Sequence, residues 1–380
     1  MHRFKSILRS QNKIVVKIGT NLLADKVKGI NLDRINEIAR SVARFTAQGN
    51  QVAIVSSGAI GAGVAALGLK ERPKTIPEKQ ATAAIGQPLL MEAYEHAFRK
   101  QGCTIAQILL TKDDFVNRAR YLNAKNTFPV LFEQGVVPII NENDTVAVEE
   151  IKLGDNDNLS AMVANLIGAD LLVILSDIDG LFSDDPAKNH EAELIPVVER
   201  LTPQIERLAK SSKSELSTGG MITKIQAAKR CVSAGIAMII ANGKNQNALD
   251  DIFSGTFNGT LFLPSDNKLN MRKKWIGFVS SAKGYVRVDD GAKNALLKRN
   301  KSLLPSGIVE VHGEFKVNET ISILDLDSNV IAKGVTGYSS TDLGRIKGKK
   351  TGEIEVILNR KSHDEVIHRN NLVLIGEPTC

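Results

Sequence analysis

Three cysteines in 380 residues, Cys103, Cys231 and Cys380, are far apart and odd in number, which excludes a disulfide framework and a CxxC metal knuckle. Two of them read as core residues and the last as a loose tail thiol. Six histidines are scattered without an HxxxH pair, so no zinc site is expected. No stretch reaches the roughly 18 consecutive apolar residues of a membrane span, and the opening MHRFKSILRSQNKIVVKIGTN has no apolar run of secretory length. A cytoplasmic location without membrane contact is expected. Aromatic residues make up 4% of the chain, leaving few rings on which single-stranded nucleic acid could stack. Heptads, tandem repeats and low-complexity tracts are missing as well. So is the GxxxxGK[ST] signature, which excludes a P-loop nucleotide fold.

What is present is a soluble globular composition, 43% hydrophobic and 24% charged, in a chain long enough for two cores. The formal charge is +7. From Pro264 onward there are 19 Lys and Arg against 14 Asp and Glu, so most of the basic excess lies in the last third. A balance of this size is ordinary for a solvated surface and is secondarily compatible with nucleic acid.

Over the first 250 or so residues, short apolar runs alternate with segments of helical period, the pattern of a parallel sheet covered by helices. The expected strands are Ile14–Ile18, Gln51–Ser56, Ile105–Leu109, Val136–Ile140, Leu171–Leu175 and Ala237–Ala241. Helices are expected over Leu32–Gln48, Glu78–Gln101, Ala119–Gln134, Asn158–Ile167 and Met221–Ala234. The strands are apolar almost throughout, as burial on both faces requires. In such a sheet ligands bind at the carboxyl ends of the strands. Around Asn258–Trp275 the pattern breaks into a polar, Gly-, Pro- and Asn-containing stretch with a basic cluster, read as a linker over 264–274. Beyond it, Tyr285–Val288, Ile308–His312, Thr320–Leu324 and Glu353–Leu358 read as short strands of a small β-rich barrel over 275–360, followed by an extension over 361–380.

Three of the strand-end loops suit a phosphate. Lys17 closes the first strand ahead of Gly19, Thr20 and Asn21; a strand-end lysine in solvent is the commoner arrangement, so this signal is weak alone. The second strand runs into Ser56-Ser57-Gly58-Ala59-Ile60-Gly61-Ala62-Gly63, where small residues let backbone N–H groups face an anion or let a helix pack closely. Thr218-Gly219-Gly220-Met221-Ile222-Thr223-Lys224 opens a helix with a lysine one turn in, suited to a nucleotide phosphate or to a plain helix cap. With Lys17 at another strand end, phosphoryl transfer becomes the better reading.

Two further loops are rich in acids and amides, Asn141-Glu142-Asn143-Asp144 and Gly154-Asp155-Asn156-Asp157-Asn158, and could hold an ammonium, a carboxylate or Mg²⁺. Asp155-x-Asp157 opens like a calcium loop, but Ser160 and Leu166 occupy the places of its glycine and glutamate, which excludes an EF-hand. Asn and Asp are common in any turn, an explanation that serves each position better than both clusters together. Ser176-Asp177-Ile178-Asp179 adds an acidic loop after the fifth strand.

In this order, VVKIGTN, VSSGAIGAG, PIINENDTV, IKLGDNDNLSA, LLVILSDIDGL and STGGMITK resemble the amino-acid kinases, most closely the branch that phosphorylates glutamate at its side-chain carboxylate. The match runs from about Lys13 to Leu263, and Trp275 to about Leu358 is similar to a PUA domain. The resemblance implies an open, mostly parallel α/β sheet sandwiched by helices, followed by a small β-rich PUA-like barrel. It implies Lys17 and Lys224 beside the phosphoryl group in flight, with Asp157 orienting them. Ser57, Asp144 and Asn156 would hold glutamate. Lys17, Ser176, Asp177 and the loop Thr218, Gly219, Gly220, Met221, Ile222, Thr223 and Lys224 would form the ATP site. It also implies Mg²⁺, the first step of proline biosynthesis with proline as feedback inhibitor, and a homo-oligomer. Because an acyl phosphate is labile, a glutamyl-phosphate reductase would be the partner that collects it.

The implied chemistry suits these residues. A carboxylate with a pKa of about 4.3 is already a nucleophile, so no general base is needed and the protein must position and neutralise two anions. The competing readings are kinases for acetylglutamate, aspartate or uridylate, and, in another class, an RNA-binding protein acting through the PUA-like tail. The tail's Trp275, Phe278, Tyr285, Phe315 and Tyr338 show no interleaved basic–aromatic run, which disfavours RNA.

Overall fold

The run Lys13–Ile18 is apolar except at its two lysines, and five of its six residues are buried, so it forms the interior strand β1. A computed structural model describes residues 13–25, 29–146, 156–186, 188–211, 220–264, 282–359 and 364–375 of the chain. These divide into two compact units, Met1–Lys268 and Leu269–Cys380. Of the segment read as a linker, all but Pro264 lies outside the described residues.

After β1, a two-stranded ribbon pairs β2 (Ala24–Asp25) with β3 (Gly29–Ile30). The main sheet adds β4 (Gln51–Ser56), β5 (Ile105–Leu110), β6 (Val137–Glu142), β7 (Leu171–Ser176), β8 (Val197–Val198), β9 (Ala237–Asn242) and β10 (Gly259–Phe262). Their order is β5-β6-β4-β1-β7-β9-β10-β8. From β5 to β9 all pairs are parallel; only β10 runs antiparallel to its neighbour β9. The carboxyl ends of β6, β4, β1, β7 and β9 therefore share one edge, with Ile18 in register with Ser56 and Leu175, and Ser176 with Asn242.

Strand alternation then sorts residues between two helical layers. Ile14, Val16 and Ile18 pack with the helices Leu32–Ala47 and Ile76–Arg99, through Ile35, Ile38, Leu90, Tyr94 and Phe98. Lys17 points to the other face, which the helices Asn156–Ile167 and Met221–Ser233 cover. From Asp157 to Ile167 every residue of the first of these is buried. Two glycines set the spacing on the opposite layer. A Cβ on Gly63 or Gly86 would collide with backbone of the facing helix, Thr82 in one case and Ala59 in the other.

The second unit is a five-stranded sheet, β12 (Ile308–Gly313), β11 (Gly284–Val288), β13 (Thr320–Leu324), β14 (Val330–Val335) and β15 (Leu372–Leu374), in that order. Two sequence expectations change here. Glu353–Leu358 is not a strand: a 3₁₀ turn at Thr351–Glu353 leads into the helix Ile354–Leu358. Nor do residues 364–375, within the expected extension, stand apart, because Val366 and Ile367 lie in the core and β15 pairs with β14. Of the cysteines, Cys231 is buried and Cys103 only half-buried; Cys380 lies outside the described residues.

Candidate active site

Lys17 sits one residue before the end of β1, so its side chain emerges under the first turns of the two helices on its face. Asp157 occupies the first turn of Asn156–Ile167, a place the helix dipole favours for an acid. Lys224 lies one turn into Met221–Ser233. The three side chains meet. Lys17 Nζ is 2.6 Å from Asp157 Oδ1, and Lys224 Nζ is 3.2 Å from Asp157 Oδ2. Relative exposures are 7% for Lys17, 0% for Asp157 and 3% for Lys224, so this is a buried ion cluster and not a surface pair.

Burial alone would push the Asp157 carboxyl upward; the charges of Lys17 and Lys224, with hydrogen bonds from Lys17 and Thr223, outweigh it and hold the group below its ordinary value. Thr223 was expected on the nucleotide loop. Its hydroxyl lies 2.9 Å from Asp157 Oδ2 and 2.8 Å from the Gly220 carbonyl, so it braces the carboxylate against the start of its own helix. Of the rest of that loop, Met221 is buried, Ile222 is exposed and Gly220 is the extended residue that caps the helix. Thr218 and Gly219 lie outside the described residues, as does Asp155.

On the β4–β6 side of Lys17, amides and hydroxyls bond to one another. Asn156 Nδ2 lies 2.8 Å from Ser57 Oγ, 2.9 Å from the Ser56 carbonyl and 3.0 Å from Asn141 Oδ1. Asp144 lies in the half-buried turn that follows β6. The structure thus gathers Ser57 and Asn156 and adds Asn141, which the sequence reading quoted in its motif without giving it a role. Behind them, the buried Tyr94 hydroxyl is 3.0 Å from Ser56 Oγ, which itself donates to the Ser57 carbonyl. Burial pushes the Tyr94 phenol up, so it stays protonated as the donor in that pair.

On the β7–β9 side, Asp177 accepts from Asn21 at 3.0 Å and from Ser176 Oγ at 3.2 Å. Burial raises its carboxyl, but these hydrogen bonds and the charge of Lys224 leave it lowered overall. Asn242 donates to Asp179 at 2.8 Å, and Gly243 N–H reaches the Ser176 carbonyl at 2.7 Å. The buried Arg34, unnoticed in the sequence, holds the next loop through the carbonyls of Gly243 and Asn245. Nothing in the local sequence of its helix marks it; its partners lie across the sheet edge.

Among the described residues, no three His, Cys, Asp or Glu side chains gather as a metal cage. The Asp177 carboxylate with the Ser176 hydroxyl beside it would suit an ion such as Mg²⁺, which keeps several waters and takes one or two carboxylates beside nucleotide phosphates. Asp177 is the carboxylate that would hold it.

Residues 12–242 match the amino acid kinase family, and residues 284–358 match the PUA domain. The chain belongs to the amino acid kinase family. Curated members similar to it along nearly their whole length include the glutamate 5-kinase of Thermoanaerobacter sp. (strain X514), 50% identical over 96% of this chain and 98% of the relative. That of Geobacter sulfurreducens is 49% identical over 97% and 99%. That of Moorella thermoacetica is 46% identical over 97% and 98%. The family match spans β1 to β9 and so contains Lys17, Asp157 and Lys224.

Proposed function

We propose that this member of the family transfers the γ-phosphoryl group of ATP to the side-chain carboxylate of L-glutamate, giving L-glutamyl 5-phosphate and ADP, the opening step of proline synthesis. The observation that carries the proposal is the buried convergence of Lys17 and Lys224 on Asp157 between an amide-lined half-cleft and an acidic one. Near-complete alignment with glutamate 5-kinases at about half identity supports the choice of substrate.

In this mechanism Ser57, Asn156 and Asp144 hold glutamate at the ends of β4 and β6. Ser176, Asp177 and the loop 218–224 hold ATP at the ends of β7 and β9. The substrate carboxylate attacks the γ-phosphorus as the bond to the ADP oxygen breaks, so no proton moves and no base is required. Lys17, between the two halves, neutralises charge on the oxygens in transfer, and Lys224 does so from the nucleotide side. Asp157 keeps both ammonium groups in place before substrates arrive. Asp177 would hold Mg²⁺, which would supply positive charge against the nucleotide phosphates. Proline inhibition, a homo-oligomeric assembly and delivery of the labile product to a reductase belong to the same proposal and rest on the family resemblance.

ADP release measured with glutamate, N-acetylglutamate, aspartate and UMP tests the assignment. Turnover with glutamate well above the other three is expected, and preference for any other acceptor overturns it.

A further inference from the structure

One polar side chain behind the amide-lined half-cleft has no part in the mechanism above. Gln87, on the helix Ile76–Arg99, accepts a hydrogen bond at 2.9 Å from Asn141 Nδ2 through its Oε1. Asn141 is buried at the end of β6, and its own Oδ1 accepts at 3.0 Å from Asn156 Nδ2. Asn156 then reaches Ser57 Oγ at 2.8 Å. The chain of contacts runs from one helical layer, through two strand ends, to the first residue of a helix on the other layer. Gly86, immediately before Gln87, admits no Cβ against Ala59, so the helix backbone is seated closely at this point.

The direction of these bonds is what matters chemically. An amide presents donors on nitrogen and an acceptor on oxygen, and it cannot present either on both sides. Asn141 turns its oxygen to Asn156 and its N–H to Gln87 Oε1, the acceptor that ends the relay. The direction is fixed at the other end, where the Ser56 carbonyl can only accept, so Asn156 turns its nitrogen inward, to Asn141, Ser57 and the Ser56 carbonyl. Its Oδ1 is thereby directed away from them as an acceptor, and Ser57, accepting from Asn156, keeps its own proton to donate. A half-cleft polarised this way offers an acceptor to an ammonium group and a donor to a carboxylate.

We propose that Gln87 is a positioning residue that accepts the last N–H of this amide relay, holds Asn141 and Asn156 in place, and so favours an amino acid with a free α-ammonium over one whose amine is acylated. The inference rests on the reading of glutamate as substrate.

The experiment compares wild type, Gln87→Met, Gln87→Glu, Asn141→Ala and the double variant Gln87→Met/Asn141→Ala, with ATP and either glutamate or N-acetylglutamate. Methionine keeps the length of the side chain without the acceptor, whereas glutamate keeps the acceptor. Gln87→Met is expected to raise the KM for glutamate about tenfold with the KM for ATP within about twofold, as loss of one part-buried hydrogen bond implies. The ratio of kcat/KM between glutamate and N-acetylglutamate should fall with it. Gln87→Glu should recover most of that loss, and adding Gln87→Met to Asn141→Ala should change little. The inference is overturned if Gln87→Met leaves the glutamate KM unchanged, raises both KM values together, or adds its full effect to Asn141→Ala. A wild-type enzyme that does not turn over glutamate would instead overturn the substrate reading, so the two failures are separate. Should Gln87→Met fail to fold, Gln87→Glu against Asn141→Ala decides: a near-normal glutamate KM only in the former supports the relay, and equal losses in both oppose it.

Discussion

Lys17 Nζ lies 2.6 Å from Asp157 Oδ1 at the interface of strand and helix, and neither side chain has more than a tenth of its surface exposed. The sheet supplies the lysine and the helix over it supplies the acid, so the pair exists only once the two layers have closed. With Lys224 on the second oxygen, the carboxylate fixes two cations at the midpoint of the cleft.

Removing either cation should therefore cost rate and leave the fold. Lys17→Ala or Lys224→Ala is expected to lower kcat at least about a hundredfold, since a preorganised charge at a transition state is commonly worth about 2.7–4 kcal/mol. Steady-state turnover, with circular dichroism to confirm folding, checks it. Near-wild-type kcat in either variant removes that lysine from the mechanism.

Removing the anion should cost stability as well. Asp157→Asn leaves two lysines converging on a neutral amide in a buried site, a situation that typically costs about 3–5 kcal/mol. Its folded-state carboxyl lies below the ordinary 3.8. The stabilisation is therefore present above that value and is lost as pH falls through the lower, folded one. Melting curves from neutral pH down into the acid range should show wild type and Asp157→Asn converging below about pH 4. A gap between them that stays constant over that range would contradict the linkage.

The two halves of the cleft should separate kinetically. Asp144→Ala and Asn156→Ala are expected to raise the KM for glutamate and leave that for ATP near normal, and to weaken proline inhibition if the inhibitor shares this loop. A weakened ATP KM with an unchanged glutamate KM would mean that the halves are assigned the wrong way round.

A chain ending at Pro264 should fold and keep glutamate kinase activity, because β1 to β10 and every residue given a role in transfer precede it. Comparison of kcat, proline inhibition and sedimentation with the full-length chain tests this. A monodisperse, folded and inactive truncated chain would show that the tail contributes to the site.

Much of this was legible because the strands that carry the site are buried on both faces and so read as continuous apolar runs, Val15 and Val16 beside Lys17 and Leu171–Leu175 before Ser176. Glu353–Leu358 misled because Ile354, Val356 and Leu358 fit a period of two. The same spacing puts Ile354 and Leu358 on one helical face, buried, while Val356 is 81% exposed. Lys17, Asp157 and Lys224 each stood in a motif that suited their chemistry, but their meeting point depended on which sheet face Lys17 takes. Gln87 and Arg34 gave no local signal at all. Each is an ordinary helix residue whose partners are brought to it only by the closing of the sheet edge.

The central claim is that the lysines held by Asp157 transfer phosphoryl to a carboxylate, and trapping the product tests it most directly. Hydroxylamine converts an acyl phosphate into a stable hydroxamate, so wild type, Lys17→Ala and Lys224→Ala would be incubated with ATP, glutamate and hydroxylamine, and the hydroxamate quantified against ADP. The account predicts one γ-glutamyl hydroxamate per ADP from wild type and at least about a hundredfold less from each variant at saturating substrates. ADP formed without hydroxamate, or hydroxamate formed undiminished by the variants, would contradict it.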